Sequence, residues 1–288
     1  MNTKKVLVAG ATGYLGRHLV KELNSRNYDV RVLIRKESQK NLFENVNDFF
    51  IGEITKPESL VGICDEISWV FTSIGITRQK EGLTYMDVDY QGNLNLLNEA
   101  KKSNVKSFLY VSAIGGDKLR HLKIFEAKEK FVDALKSSGL DYTIMRPNGF
   151  FSDMNDFLEM AKKGKVYLFG NGNYKLNPIH GADLAKVCVD KINSEAKEVT
   201  VGGPDILSQN ELARLALKSW NKKINIIHLP DWIRKLAIWS LRTFTSSKTY
   251  GPIEFFLTLM AFDNIAEQYG SHRLQDFFLE EVKKNNNQ

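Results

Sequence analysis

The chain has little cysteine: two residues in 288, Cys64 and Cys188. Two thiols cannot build a disulfide framework, and their spacing is not that of a metal site. No metal centre is therefore expected, and a reducing compartment is the simpler reading. Long apolar runs are also lacking. The most apolar stretch, Ile253 to Phe262, is too short to span a bilayer and carries Glu254. Repeats and low-complexity linkers are absent. Hydrophobic residues make up 43% and charged residues 26%, enough apolar surface to exclude disorder as the main state. Met1 to Gly10 superficially resembles an export signal. It runs straight into a glycine-rich turn and a polar helix, so it reads as a buried first strand and a cytoplasmic location is expected.

What the first half does contain is alternation. Lys5 to Ala9 is a short β-branched apolar run, and Leu15, Leu19, Val20 and Leu23 then recur at helical spacing. Further strands are expected at Asp29 to Ile34, Phe49 to Gly52, Trp69 to Ile74, Ser107 to Ser112 and Tyr142 to Met145. Helices are expected at Gly92 to Ser103 and Leu122 to Ser137, with Gly139 closing the second. Six strands separated by helices predict an α/β fold, a Rossmann-like doubly wound parallel sheet. After Pro147 the rhythm changes to Gly- and Asn-rich turns. From Ser208 to Glu281 the pattern is mainly helical. The expected division is a sheet domain over 1–150, a mainly helical C-terminal cap over 151–282, partly integrated with the first, and a polar tail over 283–288.

Gly10-Ala11-Thr12-Gly13-Tyr14-Leu15-Gly16 lies directly after the first strand and opens the first helix. The first glycine suits a tight turn, the second the approach of a pyrophosphate, and the third close helix–strand packing. The helix N-terminus then offers free N–H groups and a favourable dipole to the anion. NAD sites usually place an acid at the end of the second strand, whereas this chain has Arg35 and Lys36. A guanidinium there suits a 2′-phosphate, so NADP(H) is expected in preference to NAD(H). The plainer alternative is a solvated strand-end arginine.

Beyond the glycine turn and the basic strand end, the sequence resembles the atypical short-chain dehydrogenase/reductases, in particular the NmrA-like NAD(P)H-binding branch. The resemblance rests on the glycine spacing, Gly52-Glu53-Ile54, Ser73-Ile74-Gly75, Val88 to Asn93, Tyr110-Val111-Ser112, Arg146 to Phe150, Asn177 to His180 with Ala182 to Ala185, and Val201 to Pro204 followed by Ser208. It implies that Glu53 lies by the adenine, that Ser73, Ile74 and Gly75 line the ribose, and that Pro147, Asn148 and Phe150 border the nicotinamide. It implies an oxidoreductase on a small or hydrophobic organic substrate, with Lys128 on the ribose and Ser112 on the substrate oxygen. Phe150, Phe151, His180 and Trp232 would shape the substrate pocket.

One departure bears on the reaction. Active members carry Tyr-x-x-x-Lys on one helix, and here the position four before Lys128 is Ile124. A missing general acid typically forfeits about 10²–10⁴-fold in rate. His121, on roughly the same helical face, is the first candidate substitute; Tyr85, Tyr90 and His180 follow. Each also has a plain structural reading, and Ser112 equally reads as a strand-end cap. The departure raises the alternative of a non-catalytic NADP(H)-binding redox sensor or assembly factor.

The net charge of +6 is local. Residues 214–250 hold eight cations against Asp231 alone, a net of +7, leaving −1 for the rest. Trp220, Trp232 and Trp239 lie in the same stretch. Pro230 reads as the first residue of a helix with Trp232, Ile233, Leu236, Ala237 and Leu241 on an apolar side and Asp231, Arg234, Lys235 and Arg242 on the other. The segment is expected to cover the substrate cleft, or else to meet a protein partner or a membrane surface peripherally. Nucleic acid is not expected, because no recognised motif accompanies the charge. The sequence leaves the oligomeric state open.

Overall fold

The computed structural model describes residues 4–286 except 78, 80 and 81, so Asn287 and Gln288 of the expected tail lie outside it. In chain order the first unit runs β1 (Lys5–Ala9), α1 (Tyr14–Ser25), β2 (Asp29–Ile34), β3 (Asp48–Ile51), β4 (Trp69–Thr72), α2 (Asn93–Lys102), β5 (Ser107–Val111), α3 (Lys123–Lys136) and β6 (Asp141–Pro147). There follow α4 (Asn155–Lys162), β7 (Val166–Phe169), β8 (Lys175–Leu176), α5 (Gly181–Lys191), β9 (Glu198–Val201), β10 (Leu207–Ser208), α6 (Gln209–Ser219), β11 (Ile226–Leu229), α7 (Asp231–Phe244), α8 (Ser247–Leu259) and α9 (Leu274–Asn286).

The main sheet has seven strands in the order β3-β2-β1-β4-β5-β6-β9, and its strands run parallel. Leu7 in β1 faces Arg31 in β2 and Val70 in β4, and Leu109 in β5 faces Thr143 in β6. Residues Val6 to Ala9 and Phe108 to Tyr110 are fully buried, as expected of strands covered on both faces. The seventh strand is an addition to the six expected. Glu198–Val201 alternates exposed and buried side chains and hydrogen-bonds β6, Lys197 O accepting from Ile144 N at 2.8 Å.

Two compact units emerge. One comprises 1–146 and 184–199, the other 147–183 and 200–288. The stretch 184–199, placed with the C-terminal region by the sequence, thus packs in the first unit. The second unit has its own core, in which Phe151, Phe157, Leu212, Leu217 and Phe278 are buried. It is not wholly helical after Ser208, because β11 pairs in parallel with β7. Ser208 opens α6 with a capping box, accepting from Glu211 N while Glu211 returns a bond to Ser208. Pro230 is the N-cap of α7, so the helix begins at Asp231, one residue later than expected, and α9 carries the polar tail on to Asn286.

Candidate dinucleotide site

The site is built at the switch point of the sheet, where β1 and β4 lie side by side and the chain leaves them in opposite directions. Gly10 leaves β1 at a φ of +80°, and Gly13 N donates to Gly10 O at 3.1 Å, closing the turn. Gly16 is fixed by packing, since a Cβ there would stand 2.1 Å from Gly10 O. Gly13 caps α1, whose first turn has no side-chain cap and no acid. Arg17 Nε donates to Thr12 O at 3.1 Å and ties the turn down. Leu15 is buried and Tyr14 stacks edge-on against His18, so their side chains serve packing. Backbone amides at an uncapped helix start suit a pyrophosphate, so the residues present fit a dinucleotide.

Arg35 and Lys36 are exposed where β2 ends, and Gln39 Oε1 accepts from both of their amides. Nearby acids are engaged with lysines. Glu37 pairs with Lys40, and Glu53 pairs with Lys56 at 2.9 Å and accepts from Thr55 at 3.0 Å. Lys56 and then Thr55 hold the Glu53 carboxyl below its ordinary value. The Arg35 charge also lowers the Glu53 carboxyl, so the strand end carries two exposed cations with an acid close by.

The segment after β4 is held from beneath. Buried Asn93 accepts from Thr72 Oγ1 at 2.7 Å and donates to Ile74 O at 3.2 Å. Ser73 meets the glycine turn, because a Cβ on Gly10 would lie 2.9 Å from its Oγ. A π-helical turn, Met86–Gly92, buries Asp89 completely. Asp89 Oδ2 accepts from Ile76 N at 3.1 Å and Oδ1 lies 2.8 Å from Lys128 Nζ. Burial alone would depress the Lys128 ammonium; the Asp89 charge outweighs it and raises the pKa above its ordinary value. Gly75 completes the group, since a Cβ there would come within 2.7 Å of both charged atoms. The sequence reading had Lys128 but not its partner Asp89.

Two of the three expected catalytic groups, Ser112 and Lys128, are engaged inside the protein. Ser112 Oγ donates to buried Glu129 at 3.0 Å, so its single proton is used inside the protein. Glu129 also forms a double bond pair with Arg146 at 2.6 and 2.9 Å, and Arg146 Nε donates to Glu198 at 2.8 Å. Lys128 is bound to a carboxylate. His121 stays exposed in the turn before α3, while Ile124 is buried in its core face. Tyr85 donates its hydroxyl to Thr77 O at 2.8 Å, and burial pushes its pKa up to about 12. Tyr90 lies under the Lys130 ammonium at 4.4 Å. Tyr110 OH is fully buried, and burial pushes its pKa up.

In the second unit, Asn148 donates to Asn177 at 2.8 Å and to Asn264 O at 2.6 Å, fixing the turn that follows buried Pro147. Phe150 is half-buried, and its amide donates to Asp153 at 2.9 Å. Of the residues expected in a substrate pocket, Phe151 and His180 meet edge to face, with ring centroids 5.6 Å apart. Phe151 is interior, against Phe277; Trp232 is 62% exposed; His180 stacks on His272 at 4.2 Å. His180 lines a small cleft with Ser271, His272, Arg273, Asp276, Phe277 and Glu280, which includes neither Phe151 nor Trp232. His272 Nδ1 lies 2.9 Å from Asp183, which also accepts two backbone amides. Among the described residues no cluster could hold a metal ion, and no helix is long and apolar enough to cross a membrane.

Comparison with known proteins agrees with this geometry. A family model described as NAD(P)H-binding matches residues 10–195. A divinyl chlorophyllide a 8-vinyl-reductase of Cucumis sativus is 30% identical over 81% of this chain, which spans 61% of that relative's length. A photosystem II assembly factor, Ycf39 of Guillardia theta, is 25% identical over 78% of this chain and 73% of its own. The solved structure of AtPrR2 with NADP+ and (+)pinoresinol superposes with a TM-score of 0.76 at 21% identity, covering 97% of this chain and 99% of that one; this likeness speaks for the fold. The match runs from the glycine turn at residue 10 to residue 195, short of β9, and the chain belongs to the NAD(P)H-binding family within the short-chain dehydrogenase/reductase class.

Proposed function

We propose that this protein is an NADPH-dependent oxidoreductase that reduces a conjugated double bond in a hydrophobic organic substrate, with water supplying the proton. The cofactor preference rests on Arg35 and Lys36 at the end of β2, with Glu37 and Glu53 turned to Lys40 and Lys56. The α1 amides would hold the pyrophosphate, and Arg35 the 2′-phosphate. Bound NADPH supplies a hydride. Lys128 holds Asp89, and through the Ile76 amide Asp89 holds the loop after β4.

The observation that carries the choice of substrate is that, among the described residues, the phenol position is apolar and the Ser112 and Tyr85 hydroxyls are bonded inside the protein. Ile124 replaces the phenol, the Ser112 hydroxyl donates its hydrogen bond to Glu129, and the Tyr85 hydroxyl donates to Thr77 O. An isolated ketone needs a positioned acid for its developing alkoxide. A conjugated acceptor spreads the charge and can take its proton from solvent. The vinyl-reductase activity named for the Cucumis sativus relative is of this class.

The same arrangement favours a second reading, non-catalytic NADP(H) binding in the service of assembly; an assembly role is what the name of the Guillardia theta relative states. NADPH oxidation over conjugated enones, quinones, vinyl arenes, saturated ketones and aldehydes separates the two. Turnover on conjugated acceptors, with saturated ketones slower by about 10²-fold or more, is the expected result. Tight NADPH binding without turnover on any of them would leave the assembly-factor reading.

A further inference from the structure

Helix α7 turns its apolar residues the wrong way for a cap helix. The residues with most exposure on it are Trp232, Lys235, Leu236, Trp239, Arg242, Thr243 and Phe244. Spacings of three and four put Trp232, Leu236, Trp239 and Thr243 on one stripe, with Lys235 and Arg242 along one edge. The expected segregation is thus redrawn. Arg234, assigned to the polar side, is tucked in at 11% side-chain exposure and bonded to Asp231, while half-buried Ala237, Ile238 and Leu241 lie on the other face, and α7 packs against α8. Trp232 is 62% exposed, Leu236 50%, Trp239 59% and Phe244 75%. The Trp239 and Phe244 rings meet edge to face at 6.4 Å, so the patch is continuous at its C-terminal end.

We infer that this stripe is a docking surface for an anionic lipid bilayer. Two tryptophans with leucine and phenylalanine, flanked by cations, suit the interface, where an indole has one apolar and one wet side. Lys235 is 72% exposed at its side chain and lies 3.6 Å from Asp231, the one acid among the eight cations of 214–250. Arg242 is 48% exposed and pairs with buried Glu254, which fixes its position on the stripe. A field of this sign attracts anionic headgroups. Self-association fits less well. The four exposed apolar side chains offer on the order of 500 Å², below the roughly 800 Å² per partner of a standard interface. No helix among the described residues is long and apolar enough to cross a membrane, so contact would be peripheral.

Vesicle flotation with the full chain tests this, using phosphatidylcholine vesicles with and without about one-third phosphatidylserine, at low and high salt. The wild type should float with anionic vesicles only, and less at high salt. Leu236→Ser/Trp239→Ser/Phe244→Ser should cut the bound fraction about tenfold or more, a size consistent with losing several buried apolar side chains. Lys235→Glu should weaken it less, and Val61→Ser, at an equally exposed apolar site elsewhere, should not. Thermal melting establishes that each variant is folded. Wild-type protein that ignores anionic vesicles, or a folded triple variant that still binds them, would overturn the inference. So would light scattering that shows a wild-type dimer lost in the triple variant while vesicle binding persists.

Discussion

Asp89 is fully buried, and burial pushes its carboxyl up against the opposing pull of the Lys128 ammonium, whose side chain is 12% exposed. Removing one leaves its partner's charge buried and unpaired, which typically costs about 3–5 kcal/mol. Lys128→Met and Asp89→Asn should each destabilise by that order in urea unfolding, and the double variant by clearly less than their sum. NADPH affinity should fall with both, because Asp89 positions the Ile76 amide. Lys128 was legible from the sequence because it occupies a known motif position. Asp89 was not, because it lies 39 residues earlier and its burial follows from a π-helical turn that periodicity does not announce. Glu129 had a visible signal: a charge on the same stripe as buried Phe125 and Val132 must find a partner inside, and it found Ser112 and Arg146. That partnership is why the expected role of Ser112 on a substrate oxygen has no support in the geometry.

Strand, turn and helix together made the glycine motif readable, and they also set what it tolerates. A methyl on Gly16 would meet the Gly10 carbonyl at 2.1 Å, backbone against backbone. Gly16→Ala should therefore destabilise at or beyond the upper end of the usual overpacking range of about 1–3 kcal/mol, and weaken NADPH binding at least tenfold. Gly139→Ala, at φ +81° in open space, should cost only about 1–2 kcal/mol and spare binding. At the sheet edge, Asp48 of β3 binds Arg31 of β2 at 3.1 Å and Lys5 of β1 at 2.9 Å. Burial pushes the Asp48 carboxyl up, but the Arg31 and Lys5 bonds outweigh it and hold it below its ordinary value of 3.8. A folded pKa below the unfolded one contributes stability above 3.8 that is lost as pH falls through the folded value. Asp48→Asn should flatten the acid limb of a stability–pH curve at and below that pH. The short strands β9 and β11 escaped the sequence reading because four residues between turns carry too little periodicity to separate strand from loop.

For the whole molecule, composition indicated a positive protein and the structure says where that matters. Residues 214–250 carry a net +7 and the rest of the chain sums to −1, and it is on 214–250 that α7 exposes an aromatic stripe. The sequence located that segment but misread its outward face, since helical spacing cannot tell which side a neighbour will cover. The division into units was legible at its first boundary, near Pro147. The return of 184–199 to the first unit was not, because nothing in α5 marks which core its buried residues will join. Ligand binding should stabilise the folded chain by mass action. NADPH at about 100 times its dissociation constant should add about 2.7 kcal/mol, and NADH at the same concentration should add clearly less.

That difference leads to the most direct measurement, titration calorimetry of NADPH and NADH into the wild type and Arg35→Asp. A charge-assisted bond to the 2′-phosphate is worth about 1.5–3 kcal/mol. The wild type should bind NADPH roughly ten- to hundredfold more tightly than NADH, and Arg35→Asp should erase or reverse the preference with NADH affinity nearly unchanged. Equal wild-type affinities, or an equal loss of both cofactors in the variant, would contradict the account.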